Sequence, residues 1–344
     1  MSTANATAFG RTGVFWLFIK AMDDYYGGCI KKVNLPVSLF NDHMRLMPLT
    51  EMTRFFGILE EGISDELFIA KGCSKMQLKN FAPLDSIVCS SPVFFTALMR
   101  FNSLFKCLQS GCDARTVRSG GIFKWCYRTE LTVSEERLQD GIVGAWTFIH
   151  LLRLYHDQSY APIAVHLPGS CLGEPGEMQQ ILGCDVIWNA KQTEVWFSAG
   201  SMSKLAPEKT KFRPKVRINQ MDILSYINIP AADDFVRCVY ELINYARAFG
   251  YPKLEFIAEI LMISPLTLQR RLQKENTSFS DLVKYQLLYN LAPQMLAKGE
   301  LSEQISKELG FSNPQSFSKA FKKAHDVTPK QFVEHTDMFK GLCD

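Results

Sequence analysis

The sequence predicts an α+β domain over residues 1–203, a basic linker over 204–232 and an all-α domain over 233–344 that holds two helix-turn-helix units. Three observations carry this reading. Strand-like alternation and helical periodicity are mixed before residue 203. Prolines and basic residues cluster just after it. From Asp233 onward the apolar spacing is helical almost to the end. With 344 residues, 47% hydrophobic and 21% charged, the chain can fill two cores, which excludes global disorder.

In the first region, Ser91-Pro92 reads as an N-cap and first-turn proline, and Phe94, Leu98, Phe101, Phe105 and Leu108 follow at helical spacing. Gly121 to Leu131 alternates. Phe123, Trp125, Tyr127 and Thr129 point one way, and Lys124, Cys126, Arg128 and Glu130 the other, as in a half-buried strand. Residues 135–157 resume a helix. Ile163–Leu167, Val186–Trp188 and Val195–Phe197 read as three more short strands. Gly169, Gly173 and Gly176, with Pro168 and Pro175, punctuate the loop before another helix.

The same region carries no recognisable catalytic chemistry. It has no glycine-rich phosphate loop, no nucleophile elbow and no paired carboxylates, so neither an enzyme nor a cofactor is expected. The ten cysteines are scattered without a C-x-x-C pair, and the closest two are Cys107 and Cys112, which excludes a zinc-site spacing. His150 and His156 are six apart, which is not a ligand spacing on one helix face, so no metal is expected. His166 reads as a satisfied strand histidine. The apolar stretch Val14 to Ile19, closed by Lys20, is too short to span a membrane and has no cleavage site behind it. The expectation is a cytoplasmic protein with reduced thiols and no membrane segment.

In the linker, Lys204, Lys209, Lys211, Arg213, Lys215 and Arg217 stand with a single acid, Glu208, while Pro207, Pro214 and Pro230 interrupt helix formation. The net charge of +3 excludes a histone-like polycation and leaves room for such a local basic surface. The reading is a solvated tether; any contact it made with DNA would be to phosphates.

The third region is the most informative. Leu254, Ile257, Ala258 and Leu261 mark one helix face, and Ser264-Pro265 opens the next helix with a cap and a first-turn proline. Leu268 and Leu272, four apart, face inward; Leu266, Gln269, Arg270 and Gln273 lie on other faces. Gln and Arg carry planar forks that can bond a base edge twice, which suits major-groove reading. The grammar recurs. Ile305, Leu309 and Phe311 form an apolar face, Gly310 offers a left-handed helix end, and Ser312 with Gln315 has capping-box spacing. Phe317 and Phe321 face inward, and Gln315, Ser316, Lys319, Lys322 and Lys323 face out. The opening serines, 264 and 312, are 48 residues apart, with a helical segment at about 280–297 between them. Such a spacer could set two reading helices in successive major grooves, about 34 Å apart.

These units resemble the C-terminal domain of AraC/XylS-type transcriptional regulators. The matching text is IAEILMISPLTLQRRLQKENTSF (257–279), ISKELGFSNPQSFSKAFKK (305–323) and VTPKQF (327–332). The resemblance implies base reading by Leu266, Gln269 and Arg270 in the first unit and by Gln315, Ser316 and Lys319 in the second. Some positions depart from the family pattern. Asn276 stands where Gly is usual and can still turn left-handed. Leu287 stands for Arg and Leu291 for Ala. Pro293, inside the connecting helix, is expected to kink or break it. Lys319 replaces an Arg, exchanging a fork for a point charge.

Residues 1–203 resemble the N-terminal domain of the branch with an arabinose-binding-like domain, such as the ornithine-utilisation regulators. The matching features are Ser91-Pro92, VHLPG (165–169) and LGCDVIWNA (182–190). Together the resemblances imply a sequence-specific regulator, an activator, bound to double-stranded promoter DNA as a homodimer. It would work with RNA polymerase and be controlled by a small-molecule effector on the first domain, with ligand residues unassigned. The alternative is a first domain that only dimerises or answers to a protein partner.

Overall fold

The computed structural model describes residues 8–81, 83–129, 134–206, 229–231 and 233–340. The chain forms two bodies. One comprises Ala8–Leu35 and Leu49–Ile229; the other comprises Pro36–Pro48 together with the chain from Pro230 on.

Seven strands are present among the described residues: Phe9–Arg11 (β1), Leu46–Pro48 (β2), Cys112–Ser119 (β3), Ile122–Thr129 (β4), Ala164–His166 (β5), Asp185–Ile187 (β6) and Thr193–Ser198 (β7). The last five form the main sheet of the first body, in the order β3-β4-β7-β5-β6; only the β5–β6 pair is parallel. In this register Trp125 pairs with Val195 and Val195 with Val165, so one face is apolar. The helices Phe94–Leu108 and Ser134–Tyr155 cover it. Trp125 stacks on Phe148 with ring centres 4.8 Å apart, and Phe197 meets Phe94 edge-on at 5.8 Å. The alternation in β4 thus points Trp125 and Tyr127 into the core as predicted, but Cys126, on the opposite side, is buried too. On that outer face Lys124 lies over the Trp196 ring at 3.9 Å and His166 stacks on the same ring at 4.5 Å.

The helix after Ser91-Pro92 begins later than the sequence predicts. Its first residue is Phe94 and its cap position is Val93. The reason is a competing strand contact. Val93 pairs with Leu205, the Phe94 N–H donates to the Lys204 carbonyl at 2.9 Å, and the Ala206 N–H donates to the Pro92 carbonyl at 2.9 Å. Ser91 is buried instead, accepting from Arg100 and, through its carbonyl, from the Tyr155 hydroxyl at 2.6 Å. Lys204 and its neighbours, assigned by sequence to the linker, therefore belong to the first body. Lys209, Lys211, Arg213, Lys215 and Arg217 lie outside the described residues.

Three helices that sequence periodicity did not single out complete this core: Thr12–Tyr26, Leu49–Gly62 and Phe68–Cys73. They bring Phe15 against Phe55 at 5.4 Å and Phe18 against Phe56 at 4.7 Å. No helix among the described residues is long and apolar enough to cross a membrane.

Candidate nucleic-acid interface

The second body is built on short capped helices. The first unit pairs Leu254–Ile260 with Pro265–Lys274. As predicted, the Ser264 hydroxyl caps the second helix, accepting from the Thr267 N–H at 3.1 Å, and Pro265 occupies the first turn. Leu268 and Leu272 are fully buried beside Ile257 and Ala258. Leu266, at 55% exposure, and Gln269, Arg270 and Gln273 all face solvent. Arg271, next to this face, instead covers the Phe235 ring at 5.4 Å. Asn276 is left-handed at φ 55°, the role expected of it, and Met262 in the turn is also left-handed at φ 51°.

The second unit pairs Ser302–Glu308 with Pro314–His325. Gly310 is left-handed at φ 79°, and a Cβ there would stand 2.3 Å from the Gly250 carbonyl oxygen, so only glycine fits. The capping box lies one residue later than the sequence predicts. Asn313, not Ser312, is the cap: its side chain accepts from the Ser316 N–H at 2.8 Å, and the Ser316 hydroxyl donates to the Asn313 carbonyl at 2.8 Å. Asparagine and serine cap equally well, and Pro314 at the first helical position decides between them. Phe317 and Phe321 are buried, and Gln315, Lys319, Lys322 and Lys323 are exposed. Ser316 is half-buried with its hydroxyl engaged in the cap.

Pro293 does not break the connecting helix, but the regular α winding is interrupted just ahead of it. The chain winds as Phe279–Lys284, then as a π-helix over Tyr285–Leu291, then as Ala292–Ala297. The wider π turn hands over to a new α segment, and Pro293 enters its first turn, where a missing N–H costs least. The π stretch also supplies contacts to the helix Pro314–His325. His325 Nε2 donates to the Leu288 carbonyl at 2.7 Å, and the Tyr289 hydroxyl donates to the Ala324 carbonyl at 3.0 Å. Leu287, where the family resemblance would place an arginine, is fully buried.

Sequence reasoning did not find the part played by residues 36–48. In this body β2 packs against the helix Phe235–Ala246, and Leu39, Leu46 and Met47 are buried. Arg45 reaches Glu308, the last residue of the helix before Gly310, and Arg247 reaches the same carboxylate at 3.1 Å. Burial, reinforced by the Arg247 charge, pushes the Arg45 guanidinium down to about 10.

Comparison with known proteins agrees with this architecture. Residues 257–335 match the helix-turn-helix domain family, and residues 27–204 match the N-terminal arabinose-binding domain of AraC transcription regulators. The chain is similar to the HTH-type transcriptional activator CfaD of Escherichia coli, 34% identical over 88 residues, which is 26% of this chain and 32% of that protein. It is also similar to an uncharacterised HTH-type transcriptional regulator of Mycobacterium tuberculosis, 27% identical over 152 residues, covering 43% of this chain and 42% of the relative. The match to CfaD thus spans about a third of that relative's length. The solved structure of the regulator CdpR from Pseudomonas aeruginosa aligns over 93% of this chain and 98% of its own, with 13% identity and a TM-score of 0.45. The arabinose-binding match alone takes in more than half of the sequence, and the chain belongs to the AraC family of transcriptional regulators.

Proposed function

We propose that the second body reads double-stranded promoter DNA with the helices Pro265–Lys274 and Pro314–His325, and that the protein activates transcription there. One observation carries this reading. Each helix is capped, buries an apolar pair four residues apart, and turns glutamine with arginine or lysine to solvent. In the first helix, Arg270 suits guanine O6 and N7, Gln269 and Gln273 suit adenine, and Leu266 suits a thymine methyl. In the second, Gln315 is the base-reading side chain. Lys319, Lys322 and Lys323 bring point charge, and Ser316 sits in the first turn beside Gln315. Activation is supported by the relative CfaD, which is itself named an activator.

In this reading the first body takes a small-molecule effector and pairs the protein into a homodimer in the cytoplasm. The effector biases DNA affinity and, through it, the recruitment of RNA polymerase. Footprinting of the full chain on selected DNA tests the interface, with protection expected on one face over two successive major grooves. Protection of a single half-turn overturns the two-headed reading. Transcription from the same fragment, with RNA polymerase added, tests the direction of control.

A further inference from the structure

The first body encloses a cavity of about 60 Å³ whose walls are almost wholly apolar. Phe15 and Phe18 come from one helix, Met52 and Phe56 from another, and Met76 and Phe105 close the remaining sides. Two threonines on the wall are satisfied locally: Thr147 donates to the Val143 carbonyl at 2.7 Å and Thr53 to the Thr50 carbonyl at 3.1 Å. Three polar side chains remain, and they form a single cluster. Asp140 accepts from the Tyr127 hydroxyl at 2.7 Å and from Gln109 Nε2 at 3.4 Å, and the Thr129 hydroxyl also donates to it. One turn after Asp140 on the same helix, Gly144 leaves room for the Tyr127 ring, which a Cβ would approach to 3.2 Å.

Among the described residues no arginine, lysine or histidine pairs with Asp140. Burial raises its carboxyl to about 6, so at neutral pH it still carries a negative charge against an apolar wall. A half-buried carboxylate that lines an apolar cavity with hydrogen-bond donors but no cation carries a desolvation cost, and a cation arriving with a ligand would offset part of it. The size of the space limits the remainder of the ligand. A cavity of about 150 Å³ takes benzene, so this one takes about three non-hydrogen atoms, and the unbranched side chains of Met52 and Met76 can yield to a few more.

We propose that this cavity is the effector site of the first body and that it takes a short aliphatic primary amine. The ammonium would rest on Asp140 and the alkyl chain among Phe15, Phe18, Met52 and Phe56. The inference rests on the regulator reading above and adds the site and the ligand class. A carboxylate ligand is repelled by Asp140. An amino acid brings the right ammonium, but its own carboxylate finds no partner on the apolar walls. An alcohol can donate to Asp140 but supplies no charge.

Calorimetric titration and thermal melting of the full chain test this with ethylamine, propylamine, butylamine and hexylamine, beside propan-1-ol, propionate and alanine. The expected result is saturable stabilisation by propylamine, weaker stabilisation by propan-1-ol, and none by propionate or alanine. Asp140→Asn should weaken propylamine by about tenfold or more and change propan-1-ol little, the loss of a charge-assisted bond. Met52→Ala leaves the polar cluster intact and should move the optimum from propylamine towards hexylamine as the cavity lengthens. Equal binding of propylamine and propan-1-ol, or amine binding indifferent to both substitutions, overturns the proposal. A gel-shift series on promoter DNA separates it from the regulator reading. A chain that binds DNA but no amine, or binds amine with no change in DNA affinity, overturns this inference alone. A chain that binds no DNA under any condition counts against the regulator itself.

Discussion

Arg45 and Glu308 stand 263 positions apart in the chain, yet Arg45 Nη2 lies 3.4 Å from the Glu308 carboxylate. The same carboxylate accepts from Arg247 Nη1 at 3.1 Å, and Arg247 also donates to the Glu308 carbonyl at 3.0 Å. The Arg45 and Arg247 side chains are 1% and 6% exposed, so Glu308 stands against two nearly buried guanidinium groups, with the Asp42 charge also acting on Arg45. Glu308→Gln should therefore destabilise the second body by about 3 kcal/mol, because it leaves buried charge under-compensated. Arg45→Met, which replaces one charge by apolar volume, should cost clearly less. Chemical denaturation followed by far-UV circular dichroism ranks the two variants.

The DNA-binding body is also discontinuous, which predicts how fragments behave. A fragment from Pro230 onward lacks Leu39, Leu46 and Met47, all buried in the intact chain. It should melt well below the corresponding transition of the full protein. A chimera that joins residues 36–48 through a glycine-serine linker to residue 230 should recover most of the loss. In the full chain Leu46→Ala alone should cost about 2–5 kcal/mol, the usual range for a buried leucine. A fragment that melts with the full protein's transition shows that residues 36–48 add nothing.

On DNA, Arg270 and Lys319 should behave differently although both are exposed on a capped helix. Arg270→Ala should cost about 1–3 kcal/mol on the preferred site and relax choice at one base pair. Lys319→Ala should weaken binding evenly across sequences and lower the salt slope by about one. Selection from a randomised library with each folded variant tells them apart. If Arg270→Ala keeps full preference at every position, the first helix does not read bases through this residue.

Two left-handed glycines give a graded test of backbone strain. Gly310 and Gly299 have φ of 79° and 80°, but a Cβ meets the Gly250 carbonyl at 2.3 Å only at Gly310, while Gly299 has nothing within 4 Å. Gly299→Ala should cost about 1 kcal/mol from conformation alone, and Gly310→Ala distinctly more. All five tryptophans lie before residue 197, so their fluorescence should show an unchanged first body in both variants.

The first body should have an acid response in which two half-buried groups oppose one another. The His150 ring donates through Nε2 to the Cys73 carbonyl at 2.8 Å, and burial lowers it from 6.5 to about 4. The unfolded chain takes up that proton first, so the contribution of His150 is complete above pH 6.5 and lost as pH falls towards 4, about 3 kcal/mol in all. Asp140 is raised from 3.8 to about 6, so the folded state takes up this proton first, and stability rises as pH falls through 6. The two nearly cancel. Asp140→Asn should expose a loss of stability between pH 6.5 and 4, and His150→Gln a gain, both read from tryptophan fluorescence in urea.

Local signals made the helices Pro265–Lys274 and Pro314–His325 legible. Ser264 before Pro265, Leu268 four before Leu272 and Phe317 four before Phe321 each act within one or two turns, where spacing translates directly into a face. The second cap slipped by one because Ser312 and Asn313 both suit the position. The start of the helix at Phe94 was missed because Val93 is recruited by Leu205, more than a hundred residues away. Residues 36–48 carry no local mark of the body they join, since Arg45 finds its partner only in the folded chain. The cluster of Gln109, Tyr127 and Asp140 likewise comes from three separate elements, and no spacing along the chain could announce it.

The split of the DNA-binding body between residues 36–48 and the chain from Pro230 sets a timetable for its birth on the ribosome. The early piece emerges roughly 180 residues ahead of its partner. At 5–20 residues per second it waits about 10 to 40 s with Leu39, Leu46 and Met47 uncovered. The intervening chain completes the first body begun by Ala8–Leu35, whose elements can fold during that interval. A nascent regulator therefore holds a finished first body before it owns a finished second one.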